Sequence, residues 1–270
     1  MIERLKNLFG TKKPIIAMVH LGALPGSPLF DSETGVEELI YNAFSDLEAL
    51  QSAGVDAIMF GNENDRPYEF KVDTASTAAA AYIIGQVKKD IKVPFGVNML
   101  WDAASTVALG AATGAHFVRE IFTGYYASDM GAWRPSAAEA LRYRDRLGRS
   151  DMLMFYNISA EFAYSLDQRA LSDRARSVEF SSIPDAILVS GQITGEAASL
   201  SDLEGVKKAV SNTPVLANTG VREDTVSEVL DIADGCVVGT ALKTDGNTWK
   251  SVDPVRAQKF MKRVQSIRGS

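Results

Sequence analysis

A chain of 270 residues, 46% hydrophobic and 23% charged, holds material for one large α/β domain or two small ones. Its formal net charge of -6 argues against nucleic-acid binding, which needs clustered Lys and Arg to release counterions. No apolar run approaches the roughly 20 residues that span a bilayer, and a single cysteine, Cys236, excludes an internal disulfide and suits a reducing cytosol.

Residues 1–12 read as an extension that opens with an amphipathic helix over residues 1–9, with Ile2, Leu5, Leu8 and Phe9 on one side. Such a helix plugs the bottom of a barrel or lies on a membrane surface; few basic residues accompany it, which favours the plug. No signal-peptide core is present, so the expected location is cytoplasmic. The first predicted strand is Ile15 to Val19, closed by His20. A helix follows from about Val36 to Ala53 and stops at Gly54. Next come a strand at Ala57 to Phe60, an alanine-rich helix from about Thr74 to Lys89, and a strand at Phe95 to Val97 ending in Asn98. Asp102 is placed to cap a helix over about Ala103 to Ala112. The fourth strand, His116 to Arg119, ends at Glu120 and leads into a long loop, IFTGYYASDMGAWRP.

A helix from Ser136 to Leu147 carries Arg142, Arg144 and Arg146, with Arg149 just beyond; Asp145 lies among them and the side chains spread around the axis, as on a solvated face. Strand five is Met152 to Tyr156, ending at Asn157, and its helix spans about Gln168 to Phe180. Strand six, Ala186 to Val189, ends in Ser190-Gly191, and a helix covers about Leu200 to Val210. Strand seven, Val215 to Ala217, runs into Asn218-Thr219-Gly220-Val221; strand eight, Cys236 to Val238, runs into Gly239-Thr240. Asp253-Pro254 starts a last helix through Arg263. Eight strands alternate with eight helices, and the strands lack period-two polarity, as when both faces are buried. The turn after the first strand is not a G-x-G-x-x-G turn. The reading is one (β/α)8 TIM-barrel domain over residues 1–270.

In such a barrel the chemistry lies at the C-terminal ends of the strands. There stand His20, Glu63, Asn98, Glu120, Asn157, Ser190, Asn218 and Thr240, whereas the opposite ends begin with Pro14, Pro94 or Pro214. His20, Glu63 and Glu120 are the candidate acid/base groups, and Asn98, Asn157, Ser190 and Asn218 the groups that orient a hydroxyl-rich substrate. Glu120 has an alternative as an ion-pair partner of Arg119, and His116, at the start of its strand, reads as structural. Gly191, Gly220, Val221, Gly239 and Thr240, with Thr194-Gly195 nearby, lie in three glycine turns that offer backbone N–H groups to a phosphate. His20 with the two carboxylates offers only a weakly supported divalent-metal set, since no H-E-x-x-H-type spacing is present. No strand centre or end carries the lysine of a Schiff-base aldolase; Lys243 lies beyond strand eight. A homo-oligomer is expected for a barrel of this size.

The stretches MVHLGALPGSP (18–28), FGVNMLWD (95–102), REIFTGYYASDMG (119–131) and LANTGVREDTVSEVLDIADGCVVGTALKTDG (216–246) resemble the BtpA family from residue 11 to the C-terminus. With FGNENDRPY they are most similar to its bacterial SgcQ-like branch. The resemblance implies a TIM barrel. It also implies, for that branch, an association with sugar uptake and metabolism and a nucleosidase-like activity; it transfers no catalytic residue. The cyanobacterial members are associated with photosystem I accumulation, which implies the alternative of a non-catalytic assembly or stability factor. Where a His-containing segment is expected in those members, this chain reads YNISAEFA (156–163), a departure from the photosynthetic pattern. The leading expectation is an enzyme acting on a phosphorylated sugar or nucleoside-like molecule, by hydrolysis, isomerisation or aldol chemistry.

Overall fold

The computed structural model describes residues 2–269, apart from the side chain of Ile2. The parts of Met1 and of the Ile2 side chain in the amphipathic face therefore lie outside the described residues. In chain order the strands are β1 (Ile15–His20), β2 (Ala57–Gly61), β3 (Phe95–Asn98), β4 (Phe117–Glu120), β5 (Tyr126–Ser128), β6 (Gly131–Trp133), β7 (Leu153–Asn157), β8 (Ala163–Ser165), β9 (Ala186–Val189), β10 (Val215–Ala217) and β11 (Cys236–Val238). The helices are α1 (Ile2–Phe9), α2 (Gly35–Ala53), α3 (Thr74–Val87), α4 (Ala103–Thr113), α5 (Ala137–Arg146), α6 (Leu171–Ser182), α7 (Leu200–Ala209), α8 (Val226–Ile232) and α9 (Pro254–Arg268).

Eight strands close a parallel barrel in the order β1-β11-β10-β9-β7-β4-β3-β2. The expected strands all form within a residue or two, and His116 falls just outside its strand, where its Nδ1 accepts from Phe95 N–H at 3.2 Å. The strands look apolar throughout because each residue packs either inward or outward. Ile16, Met18, Met59, Phe117, Phe155, Leu188, Leu216 and Val237 fill the barrel. Val19, Phe60, Val97, Val118, Tyr156, Val189 and Val238 pack under the helices. Asp102, Ser136, Ser199 and Asp253 cap α4, α5, α7 and α9 by accepting from their first-turn N–H groups.

The amphipathic N-terminal helix is the plug. Leu5 and Phe9 are buried with the interior residues, and the Phe9 ring meets Phe117 edge-on at 5.7 Å. Two arginines of the 142–149 cluster are not on a solvated face. Arg144 donates to Met152 O at 3.1 Å, and Arg149 to Ala115 O at 2.7 Å and Gly110 O at 3.1 Å. Their guanidinium forks bind carbonyls at a helix end and at strand starts.

The segment read as one long loop after β4 is folded. β5 pairs antiparallel with β6 and with β8, which comes from the segment after β7. Under this small sheet lies an aromatic cluster of Leu100, Trp101, Ile121, Tyr126 and Trp133, with Tyr68, Phe70 and Phe162 packed against it. Phe70 stacks on Trp133 at 5.2 Å. The sheet caps part of the barrel mouth, and it consumes enough chain that α6 begins at Leu171 rather than near Gln168.

Candidate functional site

Side chains two residues apart on a strand share a face, so the inward position of Met18 and Phe117 also turns His20 and Arg119 inward. The same parity points Asn98, Asn157, Ser190, Asn218 and Gly239 toward the axis at the C-terminal ends. Asn98, Arg119, Asn157, Ser190 and Asn218 are buried and bonded to one another. Arg119 Nη1 donates to Asn218 Oδ1 at 3.1 Å, and Nη2 donates to Asn98 Oδ1. Asn218 Nδ2 and Asn157 Nδ2 each donate to Ser190 Oγ at 2.7 Å. The asparagines thus hold a guanidinium and a hydroxyl in place across the barrel floor, and of the three only Asn218 lines the mouth cavity.

That cavity, about 30 Å³ in volume, is lined by His20, Glu63, Arg119, Glu161 and Asn218. Thr194, Gly195, Thr219, Gly220, Gly239 and Thr240 also line it, with Met18, Leu100 and Val237 filling in. Glu63 Oε1 is 3.8 Å from both His20 Nε2 and Arg119 Nη2. Its Oε2 is buried without a hydrogen-bond partner among the described residues. Glu161 accepts from Thr194 Oγ1 at 2.9 Å and from Asn218 Nδ2 at 3.3 Å. Burial raises both carboxyls above the ordinary carboxylate range, with the Arg119 charge opposing; the Glu63 charge raises Glu161 further. Burial, and after it the charge of Lys243, lowers His20 to about 3, so its imidazole is neutral. Its Nδ1 faces Thr248 O at 3.5 Å.

Glu120 stands one layer back. It turns away from the axis, as its parity requires, accepts from Asn98 Nδ2 at 2.6 Å and from Ile121 N–H at 2.7 Å, and is absent from the cavity lining. Burial pushes it up to about 8. Arg119 lies nearer to Glu63 than the sequence pairing with Glu120 implied. Val221 is core rather than cavity wall, and Gly191 donates its N–H to Thr219 Oγ1 at 2.9 Å. Gly220, Gly239 and Thr240 do reach the cavity. Thr219, between them, holds a left-handed φ of 65°, unfavourable for a β-branched residue, and its hydroxyl donates to Glu196 O at 2.7 Å. It clips the loop after β9 to the loop after β10.

Arg119 and Glu161 are the charged cavity residues that sequence reasoning did not assign to the site. Glu161 follows the strand end at Asn157 by four residues, and that spacing is its one signal in the sequence. Lys243 is buried and bonded to Asp46 Oδ2 at 2.6 Å, off the cavity. Cys236 is buried and its thiol pushed up to about 12 by burial. Among the described residues no three His, Cys, Asp or Glu side chains are placed to share a metal ion, and no helix is long and apolar enough to cross a membrane.

The chain is 48% identical over 264 residues to the sgc region protein SgcQ of Escherichia coli, covering 98% of each chain. It is 32% identical over 256 residues to the photosystem I biogenesis protein BtpA of Synechocystis, covering 94% of this chain and 88% of that one. Its fold is similar to that of (S)-3-O-geranylgeranylglyceryl phosphate synthase from Thermoplasma acidophilum in complex with sn-glycerol-1-phosphate. That comparison gives a TM-score of 0.63 at 13% identity, with 98% of each chain covered. Phosphoribosyl anthranilate isomerase from Thermus thermophilus gives a TM-score of 0.57 at 11% identity, covering 94% of this chain and all of that one (100%). At those identities the likeness is one of fold. A sequence model of the BtpA family matches residues 11–266, and with that span and the SgcQ identity the chain belongs to the BtpA family.

Proposed function

We propose that this protein is a cytoplasmic enzyme acting on a phosphorylated sugar or nucleoside-like small molecule. The observation that carries the reading is a single cavity lined by two chemically different sets of residues. Thr194-Gly195, Thr219-Gly220 and Gly239-Thr240 form one set, in the loops after the last three barrel strands. The last two of these loops are where a TIM barrel frequently receives a phosphate. The other set is Glu63, Glu161, His20 and Arg119. Two buried carboxyls with raised proton affinity beside a fixed cation are suited to acid/base chemistry. A non-catalytic factor has no use for such a set, and the N-terminal helix that would anchor it to a membrane has its apolar residues Leu5 and Phe9 inside the barrel bottom.

Thermal-shift and calorimetric titration with sugar phosphates, nucleosides and nucleotides tests the reading. Phosphorylated compounds are expected to raise the melting temperature, and their unphosphorylated parents to do so far less. Absence of any phosphate-dependent shift, with no phosphate or sulfate at the Gly195, Gly220 and Gly239 turns of a soaked crystal, overturns it.

A further inference from the structure

The cavity's charges decide between the reactions that a phosphosugar site could run. Cleavage of a glycosidic or N-glycosidic bond passes through an oxocarbenium-like state that carries positive charge. Removal of a proton next to a carbonyl builds negative charge on oxygen instead. Arg119 lies in the cavity floor with its guanidinium fixed by Asn98 and Asn218, both neutral. Arginine does not lose its proton in a protein. A permanent cation at this place opposes the first kind of transition state and stabilises the second. No lysine lines the cavity among the described residues, so no amine is at hand for an imine with the substrate.

The two glutamates are differently held. Glu63 lies 3.8 Å from the Arg119 guanidinium, a setting that favours its ionised form. Glu161 makes no ion pair among the described residues, and the Glu63 charge raises it further; of the pair it is the one that keeps its proton, against the bonds it accepts from Thr194 and Asn218. One base and one acid therefore accompany one cation in the cavity that the glycine turns also line.

Resting on the phosphosugar reading above, we propose that this site interconverts an aldose phosphate and a ketose phosphate, with Glu63 as base, Glu161 as acid and Arg119 facing the developing oxyanion. In the first half, the Glu63 carboxylate takes the proton from the carbon beside the carbonyl. That C–H electron pair becomes the C=C bond of an enediol, and Glu161 gives its proton to the carbonyl oxygen. In the second half, the Glu161 carboxylate takes the proton of the neighbouring hydroxyl, whose oxygen becomes the new carbonyl. The enediol electron pair recovers the proton held by Glu63 at the former carbonyl carbon. Protons and electrons balance, with no oxidant or co-reactant.

The test incubates the full chain in D2O with dihydroxyacetone phosphate, ribulose 5-phosphate and fructose 6-phosphate, reading binding by thermal shift and carbon-bound deuterium by mass spectrometry. Deuterium gain with at least one of them, and a new aldose signal in its NMR spectrum, is the expected result. Glu63→Gln and Glu161→Gln are each expected to slow exchange by about 100-fold or more while still giving the thermal shift. Glu161→Asp serves if the Gln variant does not fold, and is expected to slow exchange without abolishing it. Binding without deuterium exchange overturns this inference and leaves the phosphosugar reading standing. Exchange unchanged in the Glu161 variant overturns the assignment of the acid. No binding by any of the three overturns this inference; the phosphosugar reading falls with it only where no sugar phosphate or nucleotide gives a phosphate-dependent shift.

Discussion

At the scale of single residues, burial rather than residue type sets the chemistry of the mouth. His20 has a folded-state value of about 3, below the ordinary 6.5. The unfolded chain therefore binds the extra proton as pH falls between those values, and this residue's contribution to stability is lost as pH falls through that window. His20→Asn is expected to flatten the acid limb of a urea-stability profile. Glu120 has the opposite sign. Its folded-state value, about 8, lies above the ordinary 4.5, so its contribution is full below 4.5 and is lost as pH rises through 8. Glu120→Gln, which keeps the neutral shape, is expected to flatten the alkaline decline in the same measurement. Gly239 is limited by space: a Cβ there would lie 3.0 Å from His20 Cε1 and Nε2. Gly239→Ala is expected to cost about 1–3 kcal/mol in urea unfolding and to weaken sugar-phosphate binding together, because the imidazole must move.

At the scale of elements, the cap and the loop after β11 close the mouth from two sides. The cap rests on Trp101 and Trp133, both buried, with rings 5.5 Å apart. Phe162, next to Glu161, packs its ring 6.2 Å from Trp101, so the cap's cluster also positions a carboxylate of the site. Trp133→Ala is expected to cost about 3 kcal/mol and to raise hydrogen exchange in residues 126–133 and 163–165 before the barrel strands respond. The loop after β11 is fixed by Lys243, bonded to Asp46 of α2, while Asp46 Oδ1 accepts from Val252 N–H at 2.7 Å. That loop carries both Thr240 and Thr248, whose hydroxyls bond at 2.7 Å. Lys243→Met leaves a buried carboxylate unpaired and is expected to cost about 3–5 kcal/mol in urea unfolding. Adding Asp46→Asn is expected to recover part of that loss.

At the scale of the whole molecule, the barrel is closed at the bottom by α1 and partly covered at the top by the cap. Removing residues 1–10 uncovers Phe117 and Phe155, which stack on each other at 4.8 Å beneath Phe9. The truncated chain is expected to melt several degrees lower. In sedimentation with anionic lipid vesicles, the intact chain is expected to stay in the supernatant, because the helix's apolar side is already buried. Pelleting of the intact chain, lost on truncation, would show a membrane-binding helix instead.

The barrel was legible in the chain because local rules suffice for it. Apolar runs, Pro14, Pro94 and Pro214 before strands, Gly54 after a helix and Asp102 or Asp253 as caps each act over a few residues, and their alternation leaves few topologies. The strand-end rule likewise located His20, Asn218 and the glycine turns. Inward or outward parity was not legible, because strands buried on both faces show no alternation of polarity. That parity turned Arg119 into the cavity and Glu120 away from it. Glu161 and the cap depended on contacts between segments far apart in sequence: β5 with β8, and Thr194 with Glu161. The sequence by itself determined which fold forms and which end of it is polar. Only the tertiary structure decided which carboxyls share the cavity with a cation, because burial and charge–charge distance belong to the packed chain.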